Sequence, residues 1–469
     1  MRVYVLWALV AAAVLYARRN PFGPLCLLII LSAFMQRRDF PHELLGITGL
    51  NPWNILLVAI ILAWVAQWRQ TRWRDRIPRR AVAAIVVFVL MIGVAYARAV
   101  LDSDNPVANL GYRGGLVSYT ATFLVNPLRF LVVAFLVFEM CYTRRRLRIV
   151  VMSLCACTML YSYMVIKAIP LGSLLFSSET AVLMYRHRVD RDVGLMAIDM
   201  SMLLGGMTWA MSVFAFFVPL RAWQRTLLIL SIGLPATAMA LCQSRGSWVG
   251  FLGTGVVLGL SRWRLLLWAM PAVALVAAAA MPSMSTRLLT GVGVTGVSGS
   301  SENDLHKISA GRWTEIWPAA LRQIQKGPVL GFGGDAFGRT DARRELQGTA
   351  SYTLHPHNAY LRTILDSGFI GLLIVLTVYG GIAFLTFNLF RHSSDPLERA
   401  IGGMGLAPVT MLLVCAFGAQ SFYPTQSTLL YWCIWALALR AGKPPFVNMR
   451  RSGSARACHA EVHNVPEVA

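Results

Sequence analysis

SENDLHKISAGRWTEIWPAALRQIQKGPVLGFGGDAFGRTDARRELQGTASYTLHPHNAY, Ser301–Tyr360, is the one long polar interruption in a chain otherwise built for lipid. On both sides of it apolar runs of roughly 17 to 25 residues recur, the length that carries a helix across the hydrocarbon core. The 469 residues are 57% hydrophobic and only 14% charged, with a mean hydropathy of +0.58. A soluble domain of this length needs more polar surface. The fold class is therefore all-α: a polytopic membrane protein with roughly 12 or 13 transmembrane helices and one large, partly helical, outward-facing loop. The ambiguity in the count lies in the first hairpin, Val3–Ala17 with Pro21–Met35, and leaves the side of the N-terminus open.

A net charge of +22 invites a nucleic-acid reading, but its placement excludes one. The arginines stand in short clusters between apolar runs: Arg69 to Arg80, Arg144 to Arg148, Arg221 with Arg225, Arg262 with Arg264. That is the positive-inside pattern, so these loops are cytoplasmic and the long loop faces outward, as does the QSRG corner at Gln243–Gly246. Membrane lipids, and no nucleic acid, are the expected surroundings. Most of the cysteines lie in or beside apolar runs, where Cys behaves as a small hydrophobe, and none has zinc-like spacing. The chain divides into a transmembrane body (1–282), the loop carrying the candidate site (283–358), C-terminal transmembrane helices (359–441) and a basic, disordered cytoplasmic tail (442–469). Val292–Ser301, rich in Gly, Val and Ser, reads as a flexible lead-in to the loop.

Within this frame a few residues carry chemistry. Arg245 sits at the outer end of an apolar hairpin, against the charge rule; charge at membrane depth is costly and marks function. The plain alternative is snorkelling to lipid phosphates. Arg312 opens GRWTEIWPAALRQIQKGP, in which Trp313, Ile316, Ala320 and Ile324 fall at helical spacing and Pro318 should kink or restart the helix. Arg312 could instead pair with Glu315 at i, i+3, which stabilises a helix by only a few tenths of a kcal/mol. Trp313 and Trp317, one turn apart, suit the membrane interface. Gly327–Gly338 (GPVLGFGGDAFG) lacks the GK[ST] ending of a nucleotide loop and reads as a glycine-permitted turn back onto the membrane.

HPHNAY, His355–Tyr360, is the sharpest feature. A neutral imidazole accepts a hydroxyl proton near pH 7, and His357 or His355 stands at an outer boundary where cationic loops converge. Asn358 can orient a neighbour or a sugar. Asp199 lies inside an apolar span and is a candidate by that fact alone, while Asp366 could be capping or packing. None of the motifs QSRG, GRW and HPHNAY carries an acidic pair, so neither a metal nor another cofactor is expected.

The order QSRG at an outer corner, GRW opening a loop helix, GPVLGFGGDAF, then HNAYL and SGFIGLL resembles the O-antigen ligase/polymerase superfamily of bacterial inner-membrane proteins, over roughly Leu241 to Leu373. The resemblance implies an inner-membrane glycosyltransferase with its site at the periplasm. It moves O-antigen from undecaprenyl diphosphate to a hydroxyl of lipid A–core oligosaccharide. The family's motif histidine falls on His357 and its motif arginines on Arg245 and Arg312. An arginine before the Asp199 span falls on Arg188 or Arg191, and many relatives carry Asn where this chain has Asp199. Trp313, His355 and Asn358 would stand around these groups.

Undecaprenyl diphosphate leaves well because its charge spreads over phosphate oxygens, so it needs electrostatic stabilisation more than a general acid. Guanidinium groups supply that at any relevant pH. A metal-independent, inverting single displacement with His357 as base follows. Ligase is favoured over protein O-oligosaccharyltransferase by the short segment after the last span, and over O-antigen polymerase by a single large loop. A lipid-linked saccharide transporter would put polar residues in many spans, and here Asp199 is the main exception.

Overall fold

The structure is a computed structural model and describes residues 2–44, 46–68, 78–102, 115–174, 179–280, 312–349, 353, 355–418 and 421–442. The Val292–Ser301 lead-in, Arg69 to Arg76 and the tail beyond 442 lie outside the described residues. In chain order, α1 (Arg2–Ala17) and α2 (Phe22–Leu31) form a hairpin, followed by a short antiparallel pairing of Glu43–Leu44 with Ile47–Thr48. Next come α3 (Pro52–Trp68), α4 (Arg79–Leu101), α5 (Gly115–Met140), α6 (Arg144–Ala168), α7 (Glu179–Val193) and α8 (Ala197–Phe217). α9 (Ala222–Leu241), α10 (Arg245–Ser261) and α11 (Leu265–Ala280) precede the large loop. That loop contributes a π-helical turn (Arg312–Ile316) running into α12 (Trp317–Lys326). α13 (Ala359–His392), α14 (Pro396–Cys415) and α15 (Gln426–Ala441) close the chain.

Among the described residues seven helices (α4, α5, α6, α8, α9, α13 and α14) are long and apolar enough to cross a membrane, and α1, α2, α3 and α11 are shorter apolar helices. The protein is thus an all-α, multi-pass membrane protein. α8 is apolar on every face and sits at the centre, packed against α9, α10 and α14. Between α6 and α8 stands α7, a helix with a buried stripe of Val182, Val189 and Val193. Its polar composition hides it from a search for spans.

The large loop is docked onto the bundle by backbone contacts. The π turn and α12 bury Ile316, Ala320 and Ile324 against Ile364 and Leu365 of α13, and each fully buried isoleucine contributes about 1.5–3 kcal/mol. Trp313 departs from the expected apolar face and is 49% exposed. The π turn ends just before Pro318, whose ring cannot donate into the ladder, so the helix restarts there. In α13, Gly368 has φ 68° and ψ −171°, a conformation open to glycine alone. The break frees the carbonyls of Leu365 and Asp366, which accept from Phe332 N (2.7 Å) and Gly333 N (2.9 Å). Gly334 N donates to Ala95 O of α4 (2.7 Å). Arg339, its side chain only 3% exposed, clamps the turn by donating to Gly334 O, Phe332 O and the Asp102 carboxylate. The glycine-rich stretch is a docking turn in which N–H groups meet carbonyls released by a helix kink.

Candidate functional site

Docking of the loop brings the α12 end and the HPHNAY segment together. Trp317 donates its indole N–H to Pro356 O (3.0 Å), tying the helix that follows Arg312 to the peptide between the two histidines. Asn358 is the N-cap of α13: its side-chain oxygen accepts from Tyr360 N (3.0 Å) and Leu361 N (3.2 Å). Ala359 N then donates to Ala416 O at the end of α14, so the first turn of α13 is fixed at both sides. Asn358 is therefore engaged in holding the backbone that carries His357. The Arg312 guanidinium lies near Gly418, just past the same end of α14.

His357 itself has φ 48°, a left-handed conformation that non-glycine residues seldom adopt. Two other non-glycine residues described share this trait, Gln243 (φ 46°) and Asp335 (φ 58°). Gln243 makes the corner that launches α10, with its amide donating to Ser173 O (3.2 Å), and Arg245 is the first residue of that helix. An arginine at a helix N-terminus faces the positive end of the dipole, with no acidic residue in the first turn. Backbone strain at the histidine and beside the arginine, and a cation against a dipole, are features that persist where function requires them.

The electrostatics join these pieces. The charges of Arg186 and Arg245 act on Arg312, and with burial leading they hold its pKa below the ordinary value. Burial first, then the charges of Arg312 and Arg186, press the His357 pKa down from 6.5 to about 4. Arg186 of α7 and Arg312 of the π turn thus act on the imidazole, and Arg245 of α10 acts on Arg312 beside it. His357 Nε2 lies 3.2 Å from Thr353 Oγ1, and its buried Nδ1 has no hydrogen-bond partner among the described residues. His355 stands beside it, ring centroids 6.5 Å apart, and is pressed to about 4 by burial, Arg362 and His357.

The arginine contributed by α7 is Arg186, a residue the motif reading passed over in favour of Arg188 or Arg191. At 3.6 residues per turn Arg186 falls within about 40° of Val182, on the buried stripe, whereas Arg191 points roughly 180° away. Arg188 lies against the Tyr185 ring (5.9 Å), and Arg191 pairs with Asp192 (2.8 Å) on the exposed side. The valine spacing was the available signal. Asp190, four residues after Arg186, accepts from Ala197 N (2.8 Å) and locks α7 to the start of α8. Asp199 is half-buried in the first turn of α8, where the charges of Asp190 and Arg362 act on it. Trp313 stacks obliquely on Trp317, 6.5 Å between ring centres. Asp366 accepts from Ala336 N (2.9 Å) and belongs to the docking turn. Among the described residues no three His, Cys, Asp or Glu side chains converge as a metal-holding group.

Residues 226–376 match the family model described as O-antigen ligase. The segment contains Arg245, Arg312, His355, His357 and Asn358, and the resemblance carried by QSRG, GRW and HNAYL holds over it. α7, with Arg186, precedes the matched segment. Among curated proteins none matches the chain.

Proposed function

With residues 226–376 in the O-antigen ligase family, we propose that the protein is a glycosyltransferase of the bacterial inner membrane, working at its periplasmic face. It transfers O-antigen from undecaprenyl diphosphate to a hydroxyl of lipid A–core oligosaccharide. The single observation that carries this reading is the gathering of Arg186 and Arg245 about Arg312, next to a half-buried, neutral His357 on which Arg312 and Arg186 act. Three cations so close together repel one another, and a diphosphate placed among them relieves that repulsion.

The acceptor hydroxyl attacks the anomeric carbon while His357 takes its proton. A new C–O bond forms there, the C–O bond to phosphate breaks, and undecaprenyl diphosphate departs with the electron pair. One displacement inverts the anomeric configuration. Charge growing on the leaving oxygens meets guanidinium groups already in place, which is where electrostatic catalysis is strongest. A histidine with a pKa of about 4 is a weak base in the empty site. Donor binding brings negative charge beside Arg312 and Arg186, offsets their effect on the ring and raises its basicity when the acceptor must be activated. Asn358 and the kinked turn hold the ring's backbone.

Reconstitution with lipid-linked O-antigen and lipid A–core tests the reading. A ligated glycolipid supports it. Lengthened lipid-linked chains would make the protein a polymerase, glycosylated protein an oligosaccharyltransferase, and transbilayer movement without bond formation a transporter.

A further inference from the structure

A cavity of about 580 Å³ opens beside α7. It is lined by Arg38 and His42 from the segment between α2 and α3, Arg129 of α5, and His187, Asp190 and Arg191 of α7. Cationic or protonatable groups outnumber the one lining carboxylate, which caps α8, even with Arg191 paired to the neighbouring Asp192. Arg129 is the anchor. Its guanidinium lies over the rings of Trp53 (5.3 Å) and Phe130 (4.9 Å), donates one Nη1 bond to Asn54 (3.1 Å), and keeps a buried Nε without a hydrogen-bond partner among the described residues. A half-buried guanidinium with a buried, unpartnered Nε in a polar cavity calls for an anion. Gly194 forms part of the wall, where a Cβ would collide with the Gln36 carbonyl, so the two segments bounding the cavity are held in contact.

We infer that this cavity is a second anion site, distinct from the Arg186–Arg245–Arg312 group, and that it takes a phosphorylated sugar of the acceptor. The size suits one or two sugar residues. α7 serves both sites: Arg186 on one stripe faces the histidine, and His187 with Arg191 on the next faces the cavity. A glycan gripped there presents its neighbouring hydroxyls toward the transfer centre. This inference rests on the proposed transferase reading for its biological ligand, but the binding itself is separately measurable.

The test uses full-length protein in phosphatidylcholine nanodiscs, wild type and the double variant Arg38→Ala/Arg191→Ala, with lipid A–core before and after phosphatase treatment as the probe. Binding is read directly by a labelled acceptor, and transfer by product formation. Loss of charged contacts should raise the Kd and the acceptor KM for the phosphorylated probe by about 10-fold or more, with kcat and donor KM unchanged. The phosphatase-treated probe should bind wild type and variant equally. Equal loss on both probes, or a changed donor KM, overturns the inference. If adding phosphatidylglycerol to the discs displaces the phosphorylated probe, the occupant is a lipid headgroup and the inference also fails. Phosphate-dependent binding without transfer would instead leave the cavity assignment standing and remove the proposed reaction.

Discussion

The His357 pKa makes a quantitative claim about pH. At about 4, the ring at pH 7 is neutral over protonated by roughly 1,000 to 1, whereas an ordinary histidine at 6.5 would be neutral by only about 3 to 1. The sign follows from the cause: burial and neighbouring cations disfavour imidazolium, so the base form survives into acid and is lost only as pH falls through about 4. At pH 5.5, kcat/KM should therefore keep more than about nine-tenths of its neutral value, where an unperturbed histidine would retain about a tenth. The assay is initial-rate transfer in nanodiscs between pH 3.5 and 8, with circular dichroism at each pH to separate titration from unfolding. The limb in kcat, which reports the donor-bound enzyme, should lie above the limb in kcat/KM because the diphosphate offsets Arg312 and Arg186. Arg312→Gln should move the kcat/KM limb upward by at most about one unit, since burial, the leading cause, remains. His357→Gln should lower kcat by about 100- to 10,000-fold and leave donor binding intact. A kcat/KM limb near 6.5 that Arg312→Gln does not move would refute this account of the ring.

Four further outcomes are expected. Arg312→Lys keeps the charge but loses the planar two-point grip, and transfer should fall by about 10- to 100-fold in the same assay. Arg186→Gln should weaken donor binding measurably while Arg188→Gln should not, which a donor-titration comparison of the two variants decides. Gly368→Ala places a Cβ against the Val329 carbonyl at a φ of 68°, and should cost about 2–4 kcal/mol, read as a lowered thermal midpoint in detergent together with lost transfer. EDTA should leave transfer by purified protein unchanged, because guanidinium groups carry the leaving-group charge; full inhibition reversed by added magnesium would contradict that role.

The spans, the arginine clusters and the polar stretch around Arg312 and His357 are legible in the residues, because hydrophobic length and charge placement are one-dimensional properties that the bilayer reads directly. So are the helix restart at Pro318 and the turn-like character of Gly327–Gly338, since both follow from local backbone chemistry. α7 is different. Its polar composition concealed a helix, and choosing among Arg186, Arg188 and Arg191 required knowing which stripe meets the body of the protein. Asn358 could orient a neighbour or a sugar by its residue type, and the fold engages it with its neighbours, as the cap of α13.

What the sequence by itself determined is therefore the class of the protein and the chemical types available at the candidate site: arginines for an anion and an imidazole for a proton. Only the tertiary structure decided which arginines meet the histidine. Arg186 of α7 and Arg312 of the π turn, more than a hundred residues apart in the chain, act on one ring because the loop docks on carbonyls released at Gly368 and α7 is locked to α8 by Asp190. Desolvation and Coulomb interaction depend on distance in space, which no spacing along the chain encodes.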